Sequence, residues 1–130
     1  RLEDRGYKYH KCGKFLKVGK LNFYHGHLYG GQYHTANHLR KLGANVMYGH
    51  WHDIQQMSAT HIDGQKSACS IGCLKDMTRE SNEWLGGRGH NWSHGFAIVD
   101  FFRGGNFSVH LMQIIDGVTS LYGEKIDGNV

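Results

Sequence analysis

Apolar and β-branched residues fall mostly into short runs bounded by glycine or Asp-Gly, a pattern that predicts strands. The runs are GYKYHK at 6–11, KFLKVG at 14–19, KLNFYHG at 20–26, NVMYG at 45–49, IQQMSATHI at 54–62, KSACSIG at 66–72, GFAIVDFF at 95–102, FSVHLMQII at 107–115 and VTSLYG at 118–123. Asp63-Gly64 offers a two-residue hairpin turn, and Gly104-Gly105-Asn106 links GFAIVDFF to FSVHLMQII as a second hairpin. One segment breaks the pattern. Between residues 33 and 43, YHTANHLRKLG carries Ala36, Leu39 and Leu42 at helical spacing, with Thr35 as a candidate cap and Gly43 as a stop. A strand, a crossover helix and a second buried strand make a βαβ unit, and ligands collect beyond the carboxyl ends of such strands. His25 and His50 both fall at such an end.

No heptad, repeat, low-complexity tract or compositional break divides the chain, so 1–130 is expected to be one domain: α/β, strand-rich, with one clear helix. Its 130 residues, 39% hydrophobic and 20% charged, suffice for one real core. A net charge of +4 with the histidines neutral would ease the approach of phosphates but falls short of a dedicated nucleic-acid binder. Cys12, Cys69 and Cys73 are odd in number and follow no secretory signal, so free thiols and a cytoplasmic, reducing setting are expected. No apolar run is long enough to cross a bilayer, which argues against a membrane partner.

Of the eleven histidines, His25, His27, His34, His38, His50 and His52 lie between residues 22 and 53. In extended backbone His50 and His52 would point to one side and Trp51 and Asp53 to the other, which favours His52 as the partner of His50. Gly26 and Gly49 would allow tight turns beside them, and neutral imidazoles suit zinc, manganese, iron or nickel. His34 and His38 have the i, i+4 spacing of a zinc helix, but no glutamate follows His34, so a solvated helix face is expected there. Cys69 and Cys73 lack both the CxxC spacing and a second ligand pair, and read as core and loop cysteines. Gly86-Gly87-Arg88-Gly89 is expected to be a surface loop in preference to a phosphate cradle, and Trp84, Trp92, Phe96, Phe101 and Phe102 core or lid residues in preference to a base-stacking set. The lysines from Lys8 to Lys20 alternate with Tyr9, Phe15 and Val18 as in an amphipathic hairpin with a solvated basic face.

His25-Gly26 followed by Gly49-His50-Trp51-His52 resembles the last two sequence blocks of the calcineurin-like metallophosphoesterases. The form HGHLYG is similar to the small bacterial phosphodiesterases of that superfamily, and NWSHGFAIV to its phage-encoded members. The resemblance spans roughly residues 20–102, its specific part being those two blocks. It implies the C-terminal part of a β-sandwich flanked by helices, and dinuclear-metal-dependent hydrolysis of a phosphodiester or phosphomonoester. The substrate would be a phosphorylated small molecule or nucleic acid. His25 and His50 would hold one divalent ion (Mn, Fe, Zn or Ni) and His52 the second, while His27 would touch substrate.

The family's earlier blocks, which bring carboxylates, an asparagine ligand and the proton-donating histidine, do not occur here. The expectation is therefore that they lie upstream of Arg1, that the chain is the C-terminal half of the domain, and that it contains no catalytic residue of its own. An isolated half should expose apolar surface and leave an unpaired sheet edge beside 20–26 and 45–49. The competing reading is a non-catalytic, histidine-rich module for metal binding or protein interaction.

Overall fold

A computed structural model describes residues 2–129. Among these described residues nine strands form: β1 (Leu16–Val18), β2 (Leu21–Phe23), β3 (Val46–Tyr48), β4 (Ile54–His61), β5 (Gly64–Ile71), β6 (Gly95–Phe101), β7 (Phe107–Gln113), β8 (Val118–Leu121) and β9 (Glu124–Asp127). One α-helix, α1 (His34–Leu42), and two 3₁₀ helices, Glu3–Arg5 and Glu80–Leu85, complete the elements. The fold is α/β and strand-rich, as the hydrophobic pattern predicts. No helix among the described residues is long and apolar enough to cross a membrane.

Five strands form a mixed sheet in the order β1-β2-β3-β5-β4. β2, β3 and β5 run parallel, while β1 and β4 close the two edges antiparallel. β2-α1-β3 is the βαβ unit predicted, and Gly43 ends its helix in the left-handed conformation, donating its N–H to Leu39 O at 2.9 Å. Thr35 is not the cap: the helix starts after Tyr33, and Thr35 lies inside it, its hydroxyl donating to Gln55.

Strand alternation gives the sheet two different faces. Val46, Tyr48 and Ala68 meet Tyr24 and Leu39 on the α1 side. Leu21, Met47 and Cys69 meet Ala97, Val99, Phe107, Val109 and Leu111 of the β6-β7 hairpin on the other. The sheet is thus a middle layer, and each fully buried aliphatic side chain such as Leu39 or Val46 contributes roughly 1.5–3 kcal/mol. Where the tip of the β1-β2 hairpin meets the β6-β7 tip, Lys20 N–H donates to Gly105 O at 2.8 Å. A Cβ on Gly19 would come within 2.6 Å of that same oxygen, so the close approach requires glycine.

Four local expectations are corrected. Residues 6–11 form no strand: Tyr7 and Tyr9 are both exposed, because no neighbouring strand covers their alternation. The basic segment forms a hairpin only at its end, in β1 and β2, and the rest of it is irregular. The β4-β5 turn is shifted by one residue, since Gly64 takes the positive φ of 114° as the first residue of β5 and leaves Ile62 and Asp63 at the tip. Finally, β2 and β3 are paired on both sides, so the unpaired edges belong to β1 and β4 instead. β9 escaped prediction because EKID carries a single apolar residue.

Candidate metal centre

Parallel pairing of β2 with β3 brings their carboxyl ends to one rim. Just beyond the ladder, His50 N–H donates to His25 O at 2.9 Å, which fixes the two backbones side by side. Their imidazoles then meet: His25 Nε2 and His50 Nδ1 share a hydrogen bond at 2.7 Å. Gly26 makes the next turn possible. Its φ is 106°, and a Cβ there would stand 2.6 Å from the Tyr48 ring, so only glycine lets the chain double back at this point. The reversal returns His27 to a ring separation of 5.7 Å from His25 and 6.3 Å from His50.

Trp51 fastens this turn. Its indole N–H donates to Gly26 O at 3.1 Å, its edge meets His50, and its face stacks on His34. Burial, followed by the nearby charges of His25, His27, His52 and His34, holds His50 below the ordinary histidine pKa. His50 therefore favours the neutral form that binds metal.

His52 arrives differently from the expectation. The backbone after Tyr48 is a turn, His52 N–H donating to Gly49 O at 3.2 Å, and His52 itself has a φ of 60°. The alternation that would have set it beside His50 therefore does not operate. Instead the ring lies 5.1 Å from Trp92, and Ser93 N–H donates to His52 O at 2.8 Å. His52 Nδ1 is buried without a hydrogen-bond partner. Burial, then the positive charges of Lys75 and His25, push its pKa below the ordinary value. Among the described residues, no group of three or more His, Cys, Asp or Glu side chains is arranged to hold a metal ion. The chain thus brings two predicted ligands together, sets His27 beside them, and leaves His52 with an orphaned nitrogen nearby.

Asp53, the carboxylate adjoining the motif, turns away from the rim into a buried cluster. There His34 Nε2 donates to both of its oxygens at 2.9 Å, Ser70 Oγ donates to Oδ1 at 2.9 Å, and Gln55 Nε2 donates to Oδ2 at 2.7 Å. The expectation of a solvated face for His34 and His38 is overturned, since they are 2% and 0% exposed. Buried positions 34, 35, 38 and 39 form one stripe of α1. Counting the two histidines with Leu39 and Leu42 as one amphipathic face, and not as a separate polar one, would have found them.

Beyond His52, the Lys75 ammonium lies 4.7 Å from the Trp92 ring centre and 5.4 Å from that of Trp84, and donates to Asn82 Oδ1. These tryptophans clasp a surface cation and are not core: Trp84 is 64% exposed. Gly86 ends the second 3₁₀ helix, and Gly86-Gly87-Arg88-Gly89 is an exposed loop. Compared with protein-family models, curated proteins and solved structures, the chain shows no significant match in any of the three.

Proposed function

We propose that the β2-β3 rim is part of the metal centre of a phosphoester hydrolase, with His25 and His50 as ligands of one divalent ion and His52 as a ligand of a second. The observation that carries this reading is the meeting of His25 Nε2 and His50 Nδ1 at 2.7 Å. Metal–nitrogen bonds of about 2.0–2.1 Å at a tetrahedral angle place two imidazole nitrogens roughly 3.3 Å apart, so exchanging the shared proton for a metal needs the rings to part by only about half an ångström. The orphaned His52 Nδ1 supports the second position, because a buried ring nitrogen without a partner carries a desolvation cost that a ligand would offset.

Manganese, iron, zinc and nickel all suit imidazole, and two such ions would polarise a phosphate oxygen and activate water for in-line attack. The chain's own residues do the holding and orienting. His50 favours the neutral form at the rim, Trp51 and Gly26 fix the turn beside it, and exposed His27 is available to a phosphate oxygen. Carboxylate ligands and a proton donor would come from outside residues 1–130. The substrate class is a phosphorylated small molecule or a nucleic acid.

Calorimetric titration of the 130-residue chain with zinc, and of its His25→Ala, His50→Ala and His110→Ala variants, tests the site. Weak binding is expected, lost in the first two variants and kept in the third, whose histidine lies on β7. The polypeptide of the full reading frame should hydrolyse an aryl phosphodiester with added manganese, and the chain alone should not. Zinc binding indifferent to both rim histidines would overturn the assignment. Binding without hydrolysis by the longer polypeptide would favour the non-catalytic metal-binding module.

A further inference from the structure

Each of the three segments that carry a candidate ligand also carries, one or two residues away, a side chain committed to one buried polar network under α1. Tyr24 precedes His25, Tyr48 stands two residues before His50, and Asp53 follows His52. Two helix histidines join these three.

The partners fix where the protons lie. His38 Nδ1 faces the His34 carbonyl at 2.6 Å, and a carbonyl only accepts, so His38 Nδ1 carries hydrogen and its Nε2 accepts from the Tyr24 hydroxyl. His34 Nε2 faces the Asp53 carboxylate, so it donates there, and its Nδ1 shares a hydrogen bond with the Tyr48 hydroxyl at 2.7 Å. The His38 ring stacks on Tyr48 with centres 4.0 Å apart. Ser70 from β5 and Gln55 from β4 fill the remaining valences of Asp53. Tyr24, His34, Tyr48, His38, Asp53 and Ser70 are all buried, so each would pay heavily for losing its partner.

We infer that this network positions the rim histidines: His34, through Tyr48 and Asp53, and His38, through Tyr24, hold the ends of β2 and β3 and the turn at 49–53 in register. The inference rests on the metal-ligand reading of His25 and His50 for its function, but its geometric claim stands apart from it. None of the network side chains has a shared hydrogen bond with His25, His50 or His52. They act through the backbone, as positioning residues. A sheet held only by apolar packing tolerates small shifts of register at its strand ends, whereas directional bonds to three adjoining segments do not.

The test uses Tyr48→Phe and Asp53→Asn, which delete one oxygen or one charge while keeping size, and Val109→Ala on the opposite face as a control for general loosening. Ring nitrogen shifts of His25 and His50, read by NMR in the metal-free protein, report their shared hydrogen bond whether or not metal binds. Tyr48→Phe and Asp53→Asn should shift these signals toward those of separate, solvated imidazoles, and should weaken zinc binding about 10- to 100-fold. Val109→Ala should lower the melting temperature without moving them. Unchanged ring signals in folded Tyr48→Phe, or an equal change in Val109→Ala, would overturn the inference. Should Asp53→Asn fail to fold, Tyr48→Phe decides alone, since its ring stack on His38 remains. Loss of zinc sensitivity to His25→Ala and His50→Ala would sink the metal reading and leave the NMR result to judge the positioning.

Discussion

The two faces of the five-stranded sheet solve the same packing problem in opposite ways. On the hairpin side, Leu21, Met47 and Cys69 meet aliphatic and aromatic side chains of β6 and β7. On the helix side, the buried set includes His34, His38, Asp53 and Ser70 together with the hydroxyls of Tyr24 and Tyr48. Apolar contact is non-directional and indifferent to small displacements, while a buried polar group requires a partner at a fixed distance and angle. Both faces therefore stabilise the sheet, and under the inference above the helix face alone also sets geometry at the rim where His25 and His50 meet.

The sharpest way to break this division is to remove one side chain from each face. Asp53→Ala would leave His34 Nε2 buried without its acceptor, while Ser70 Oγ keeps the main-chain carbonyl of residue 53 at 2.8 Å, and is expected to cost about 3–5 kcal/mol in urea unfolding. Met47→Ala removes a side chain that is 4% exposed and is expected to cost about 2–4 kcal/mol through lost contact and a cavity. The contrast lies at the rim: Asp53→Ala should separate the His25 and His50 signals from their paired values, and Met47→Ala should not. Equal disturbance of the rim by both would show that any loosening of the sheet reaches the histidines.

A smaller effect should appear in the pH dependence of stability. Burial, the largest cause, lowers the His38 pKa below the ordinary 6.5, so the folded protein keeps this ring neutral where the unfolded chain takes up a proton. The unfolded state then binds more protons as the pH falls below about 6.5, and stability falls with it until the folded pKa is passed. Above about pH 6.5 this contribution is fully present. His38→Gln keeps an acceptor for Tyr24 and a donor for the His34 carbonyl, and should reduce the slope by as much as about 1.4 kcal/mol per pH unit in that window. Parallel pH–stability curves for the two proteins would place the titrating group elsewhere.

The same contrast explains what the sequence discloses. Alternation and glycine boundaries are local, so β1 to β8, the βαβ crossover and the meeting of His25 with His50 at adjacent strand ends are legible, while β9 and the irregular segment at 6–11 are not. His52 departs from the expected place because alternation ends past Tyr48, where the chain turns and His52 takes a positive φ. The burial of His34 and His38 is not legible in residue type, because a histidine is polar and its burial depends on partners far along the chain: Tyr48 and Asp53 for one, Tyr24 for the other. Nothing in local pattern announces a carboxylate that turns inward, and the register that brings Ser70 against Asp53 exists only once β4 and β5 have paired.

The smallest expected effect concerns the thiols, and it reads the hairpin face directly. Cys69 lies on β5 between β3 and β4, beside Met47 on the hairpin face, and burial pushes its pKa up to about 11, whereas Cys12 is exposed in the irregular N-terminal segment. With that pKa, only about a thousandth of Cys69 would be thiolate at pH 8 even before access is considered. A maleimide should therefore label Cys12 promptly and leave Cys69 unmodified until the sheet opens. Met47→Ala, by hollowing the packing beside Cys69, should speed its labelling, and Tyr48→Phe should leave it nearly unchanged because that hydroxyl lies on the other side of the sheet. Mass spectrometry of timed samples separates the sites. Labelling of Cys69 accelerated equally by both substitutions would mean that the two faces open as one unit and that the geometric role is not confined to the helix face.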